Sequence, residues 1–164
     1  MALSFSFENE LVALLPRLRR FAHGLSRSPA DADDLTQATI ERALRSRDQW
    51  RPGTRLDSWA YRIMRNLWID TARARSRRDR VEAPEEEAER VGQDPTAGMD
   101  AAVDLSRLML AMQRLPDEQR EVVALILIEG FGYRETAEML DVPIGTVSSR
   151  LVRGRTALLE MVGA

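Results

Sequence analysis

Arg55, Trp59, Arg62, Asn66 and Arg73 fall on one flank of a helix when laid out at about 100° per residue. A ring beside a row of guanidinium groups and one amide suits single-stranded nucleic acid. Bases stack on the indole, the guanidinium groups hold phosphates, and the amide reads a base edge. Arg75, Arg77, Arg78 and Arg80 prolong the basic tract. The same spacing also fits burial of Trp59 in a core, and periodicity does not choose between the two. Tyr61 and Trp68 fall on the opposite flank, where packing or contact with a partner suits them.

A second pattern occupies residues 133–155, YRETAEMLDVPIGTVSSRLVRGR. Ala137 is small, as two closely crossing helices require, and Leu140, Val142, Val147 and Leu151 have the spacing to pack them together. Asp141 stands at the tight turn between them, because Asp accepts a left-handed backbone better than most residues. Pro143 restricts entry to the second helix, which exposes Thr146, Ser148, Ser149, Arg150, Arg153 and Arg155. Hydroxyls and guanidinium groups near a helix start suit phosphates and base edges in a major groove. The pattern is a helix-turn-helix; its alternative is a plain helical hairpin with a solvated Arg face.

Composition removes other chemistries. The chain has no Cys, and all 24 of its basic residues are Arg. It therefore has no disulfide, thiolate zinc site or Cys nucleophile, and neither a Walker lysine nor a Schiff base. One His, His23, cannot make an HExxH site and reads as an ordinary polar residue on a helix flank. No cofactor, metal or catalytic residue is expected. The longest apolar run, residues 122–128, is too short to span a bilayer, and residues 1–8 carry no export signal, so a cytoplasmic protein without membrane insertion is expected.

These patterns need helices to hold them, and the apolar spacing supplies helices throughout. Leu11, Leu14, Leu15, Leu18, Phe21, Ala22 and Leu25 mark a first stripe. A second helix is expected from Ser28-Pro29 to about Asp48, with Asp31, Asp33 and Asp34 at its positive end. Residues 51–54, RPGT, form a turn before a third helix over 55–78, with Leu56, Ala60, Ile63 and Leu67 facing the core. Further helices follow over 105–115, 117–129, 133–140 and 144–159. The fold class is all-α, in two small domains: 1–80, and 105–164 with the helix-turn-helix.

Between them, residues 81–104 read as an acidic flexible linker. The stretch 82–98 holds six acids, two Pro and two Gly, with almost nothing large and apolar to bury. This explains a net charge of only −2. Residues 1–80 carry 16 Arg against 10 acids, residues 81–105 one Arg against 8 acids, and residues 106–164 seven Arg against 8 acids. The chain is a basic first domain, an acidic tether and a nearly neutral second domain.

Three stretches in order, DADDLTQATIERAL (31–44), RLDSWAYRIMRNLWID (55–70) and residues 115–155, resemble the extracytoplasmic-function (ECF) sigma factors. These are the minimal members of the sigma-70 family of bacterial transcription initiation factors. The resemblance implies a region 2 helix bundle and a region 4 helix-turn-helix. It implies core RNA polymerase as partner, through its largest-subunit clamp helices and its flap. By position, Asp34, Leu35, Gln37 and Glu41 would meet the clamp helices. Arg55, Trp59, Arg62, Asn66 and Arg73 would engage the −10 element as it melts to single strands, with the 51–54 turn helping to hold an extruded base. Thr146, Ser148, Ser149, Arg150 and Arg153 would read the −35 element as duplex.

The resemblance further implies promoter-directed initiation in a stress response, control by an anti-sigma factor over a surface including Tyr61 and Trp68, and nucleoid association when bound to polymerase. The acidic linker would thread towards the active-site and RNA-exit channels. Three positions depart from the family pattern: Ala38 for Glu, Thr136 for Ile, and Ser148 for a basic residue. Two rivals remain at this level. A simple helix-turn-helix regulator leaves the 55–73 strip unexplained, and a decoy that only sequesters an anti-sigma protein would not need Arg62, Asn66 and Arg153.

Overall fold

The computed structural model describes residues 2–81 and 99–163, and among these every regular element is helical. Residues 82–98, the heart of the expected linker, lie outside the described residues. Three long helices form the N-terminal unit: α1 (Ala2–Leu25), α2 (Pro29–Arg45) and α3 (Leu56–Val81). The C-terminal unit comprises α4 (Met99–Arg114), α5 (Asp117–Val123), a π-helical turn (Ala124–Ile128), α6 (Tyr133–Leu140) and α7 (Ile144–Gly163). Helix α4 starts six residues before the 105 expected of it, and the expected helix over 117–129 changes winding halfway.

Local chemistry sets these boundaries. Ser28 caps α2 in an extended conformation, its hydroxyl accepting the Asp31 N–H at 3.1 Å, with Pro29 in the first turn. On the buried face of α2, Ala32, Thr36, Thr39 and Ala43 are small enough for α1 and α3 to approach closely. The Thr36 and Thr39 hydroxyls donate to the carbonyls of Ala32 and Leu35, so neither is left unpaired. A short 3-10 turn, Arg47–Gln49, and a tight turn at Gly53 (φ 89°) lead into α3.

The buried face of α3 is rotated from the expected one. Leu56 and Ala60 are buried as expected, but Tyr61 and Met64 complete the face, while Ile63 and Leu67 are only half-buried. The cause is tertiary: the C-terminal unit covers the Tyr61 flank, a surface that periodicity within one helix cannot register. Tyr61 packs on Phe21 (centroids 4.8 Å apart) and, across the unit boundary, on Phe131 (5.1 Å).

One continuous apolar cluster runs from Leu18, Phe21 and Met64 through Met112 and Leu125 to Val147 and Leu158. Helix α1 is the spine, touching α2 and α3 on one side and α4, α5 and the π-helical turn on the other. A smaller cluster of Phe7, Leu11, Ala43 and Leu56 closes the far end of the N-terminal unit.

Arg120 ties the two units. Nine-tenths buried, it donates to the carbonyls of Met112, Gln113 and Leu115 at the end of α4, and to Leu25 at the end of α1. It thereby satisfies carbonyls that helix ends leave orphaned.

Candidate nucleic-acid interface

Helix α3 presents the single-strand candidates on its outward flank. Arg62, Asn66 and Arg73 are exposed. Trp59 is half-buried: its ring meets Phe7 edge-on at 6.1 Å within the smaller cluster, and the rest faces solvent. The core reading of Trp59 therefore holds in part, and the remainder of its side chain stays accessible.

Arg55 is placed differently. It is exposed, but a fork of two bonds holds it on Asp57 (3.1 and 2.8 Å), and Nη1 reaches Glu135 of α6 at 2.5 Å. Burial alone would raise the Asp57 carboxyl. The Arg55 guanidinium, the Ser58 N–H and Arg17 together hold it below its ordinary value. In this arrangement Arg55 is held by carboxylates from both units, Asp57 and Glu135.

Helices α6 and α7 form the duplex-reading candidate. Asp141 takes the left-handed turn (φ 54°, ψ 50°) expected of it, and Val147 and Leu151 are buried between the helices. Ser148, Ser149 and Arg153 are exposed and Thr146 is partly so. The Ser149 hydroxyl donates to the Thr146 carbonyl at 3.1 Å. Arg150 is less open, with 21% of its side chain exposed, and lies 3.8 Å from Glu118.

On α2, Asp34, Gln37 and Glu41 are exposed along one side. Leu35 is not: its side chain lies in the main cluster, so it supports this face from beneath rather than standing on it. Trp68, half-buried, lines a groove of about 950 Å³ with Leu25, Leu35, Leu67, Asp117 and Arg120. Tyr61, paired with Trp68 as partner-facing in the sequence, is instead 1% exposed beneath the C-terminal unit.

The sequence missed a polar seam between the units. Arg20 makes two 2.8 Å bonds to Glu129, whose side chain is fully buried and also accepts the Tyr61 hydroxyl at 2.6 Å. Burial and that bond push the Tyr61 phenol well above its ordinary range, so it stays a donor. Arg65 forks onto Glu121 at 2.9 and 3.3 Å; burial still raises the Glu121 carboxyl, against the pull of Arg65. The available signal was Arg120-Glu121 adjoining the apolar run 122–128, since charges inside a core stripe need buried partners. Among the described residues, no group of three or more His, Cys, Asp or Glu could hold a metal, and no helix is long and apolar enough to cross a membrane.

Residues 11–78 match the sigma-70 region 2 family and residues 105–158 the sigma-70 region 4 family. The chain is 36% identical to the ECF RNA polymerase sigma factor EcfG of Rhodopseudomonas palustris, over all of this chain and 91% of that protein. It is 39% identical to SigE of Mycolicibacterium smegmatis, over 88% of this chain but 56% of that protein. Among solved structures, the Bartonella quintana sigma factor RpoE, in complex with the anti-sigma factor NepR, superposes with a TM-score of 0.84. That match has 31% identity and covers 97% of this chain and 98% of the other.

Proposed function

This chain belongs to the sigma-70 family as an ECF sigma factor, and we propose that it binds core RNA polymerase, directs it to specific promoters and opens the −10 region. The family is one of transcription regulators rather than enzymes. The observation that carries the proposal is the pair of dissimilar faces on the two matched regions. One offers a half-exposed indole with Arg62 and Asn66 for unstacked bases, the other a helix start with Ser148, Ser149 and Arg153 for a duplex groove.

On this reading the exposed side of α2, with Asp34, Gln37 and Glu41, meets the polymerase clamp helices, while region 4 meets the flap. Region 2 on this reading spans 1–80 and region 4 spans 105–164, joined by the acidic segment, into whose end α4 extends from Met99. Two weak DNA readers on one tether gain effective concentration once polymerase fixes their spacing. The protein acts in the bacterial cytoplasm, at the nucleoid when bound to polymerase, in a stress response. Its controlling partner is an anti-sigma factor, supported by the likeness to a sigma factor solved with one. That partner meets Trp68 and its groove rather than the covered Tyr61.

Run-off transcription with purified core polymerase tests the proposal. A promoter-specific product that appears only with this protein is expected, as is loss of permanganate-reactive −10 thymines with Arg62→Ala/Asn66→Ala. Intact polymerase binding without a specific product would sink the proposal.

A further inference from the structure

Asp57 sets a negative charge at the head of the strip that runs from Arg55 to Arg73, where an acid repels phosphates. Its carboxylate is fully engaged. Oδ1 accepts the Ser58 N–H at 2.7 Å and Arg55 Nε at 3.1 Å, while Oδ2 accepts Arg55 Nη2 at 2.8 Å and Arg17 Nη2 at 3.2 Å. Two oxygens offer about four acceptor sites, and all of them are taken. Only 12% of the side chain is exposed.

Residues two apart on a helix do not face each other. Arg55 meets Asp57 because it stands just outside α3, with its carbonyl accepting the Trp59 N–H at 3.4 Å. The fork fixes the plane of the guanidinium, and the Ser58 N–H and Arg17 of α1 fix the carboxylate that makes the fork. Arg17 is itself seated 5.7 Å over the Tyr61 ring. With Nε and Nη2 on Asp57, Nη1 is left to bond elsewhere, and it reaches a Glu135 oxygen at 2.5 Å. That edge therefore takes an anionic oxygen while the fork stays whole.

Resting on the sigma reading above, we propose that Asp57 is a positioning residue for engagement of the −10 strand. It holds Arg55 so that the Nη1 edge, one helical turn before Trp59, is presented to a phosphate oxygen of the single strand. An Arg fixed in this way loses less freedom on binding than one swinging in solvent, and the gain outweighs the repulsion from the acid that fixes it. Two simpler roles differ in what they predict. If Asp57 acted by charge alone, removing it would strengthen DNA binding. If it only stabilised the positive end of α3, removing it would lower the melting temperature and leave the DNA affinity of folded protein as it was.

The test uses holoenzyme assembled from core polymerase and the full chain, on a promoter identified by run-off transcription and premelted over its −10 element. Asp57→Asn keeps the shape but sets an amide NH2 against the guanidinium, so the fork cannot form. It is expected to weaken binding about fivefold. It should also make the dependence of log affinity on log salt shallower by about 0.7, the value of one contact to a single-stranded phosphate.

Arg55→Lys leaves the carboxylate untouched and keeps the charge without the fork, and it should lose as much. Asp57→Asn in an Arg55→Ala background should lose nothing further. Arg17→Met spares the fork and should change affinity less than about twofold. Binding to core polymerase, measured alongside, reports that each variant is folded. Tighter or unchanged binding in Asp57→Asn, losses that add to those of Arg55→Ala, or an Arg55→Ala chain that binds like the wild type would each overturn the positioning role. Run-off activity would then leave the sigma reading standing. A wild-type holoenzyme without a promoter-specific product would overturn the reading on which the role rests.

Discussion

The N-terminal unit is three long helices of 24, 17 and 26 residues around an aromatic interior of Phe7, Phe21 and Tyr61, flanked by Trp50 and Trp59. The C-terminal unit sets two longer helices, α4 and α7 of 16 and 20 residues, around two short ones, α5 and α6 of only 7 and 8, with Val122, Val123, Leu125, Val147 and Leu151 between them. A helix that short does not hold itself, since nucleation consumes most of what its few bonds return. Its shape rests on particular contacts, whereas the long helices share theirs along whole faces. Single substitutions should therefore fall harder on the C-terminal unit.

Arg120 gives the largest expected difference. Arg120→Met takes the guanidinium from four carbonyls of α4, its C-terminal end and α1, of which Met112 keeps the Leu115 N–H, and should cost about 3–5 kcal/mol in urea unfolding. The matched change Arg17→Met removes one 3.2 Å bond to Asp57 from a third-exposed side chain, and should cost under about 1 kcal/mol. Equal losses would break the comparison.

Two glycines sharpen it. A Cβ on Gly154 would stand 2.8 Å from a Val123 methyl, and Val123, stiff at χ1, has little room to yield. Gly154→Ala should therefore lose about 1–3 kcal/mol despite the better helix propensity of Ala. Gly24→Ala meets its neighbours at ordinary contact distance and should gain up to about 1 kcal/mol. Paired thermal melts read both signs.

The sequence made some of this legible for physical reasons and hid the rest for others. Caps and turns are local, so Ser28-Pro29, the 51–54 turn and Asp141 were read where they stand, and α6 came out residue for residue. The outward sides of α3 and α7 were legible because Arg and Asn outside an apolar stripe have nowhere to go but solvent. Contacts between distant residues were not. Tyr61 is buried by a unit that begins nearly 40 residues later, and Leu35 is drawn under a face it was expected to share. The π-helical turn left no trace either, since the apolar run 122–128 fits either winding.

Thr136 and Thr39 test how each unit treats a buried hydroxyl. Thr39 donates to Leu35, but the Thr136 hydroxyl is buried without a partner, at the position where the family pattern has Ile. Thr136→Val should gain about 1 kcal/mol by removing an unpaired polar atom at constant volume. Thr39→Val should lose about 0.5–1 kcal/mol. A loss at Thr136 would mean that its hydroxyl is satisfied in solution.

The smallest effect concerns the left-handed turns. The N-terminal unit places Gly53 at φ 89°, free of any Cβ penalty, while the C-terminal unit places Asp141 at φ 54°. Asp141→Gly relieves roughly 1 kcal/mol of local strain, but the looser unfolded chain returns part of it, leaving a net gain of about 0.5 kcal/mol. Gly53→Ala should lose about 1 kcal/mol, because Ala brings the Cβ penalty without a compensating hydrogen bond. Asp141 also carries charge at the turn of the duplex-reading motif, so stability and DNA binding must be separated. Asp141→Asn removes the charge and keeps a residue that accepts the turn. It should leave the melting temperature within about 1 °C, since ~0.2 kcal/mol shifts a domain of this size by no more. If duplex affinity rises equally in the Asn and Gly variants while only Gly raises the melting temperature, strain and charge act independently at this turn. If both variants melt alike, the left-handed backbone at Asp141 is unstrained, and the contrast with Gly53 fails.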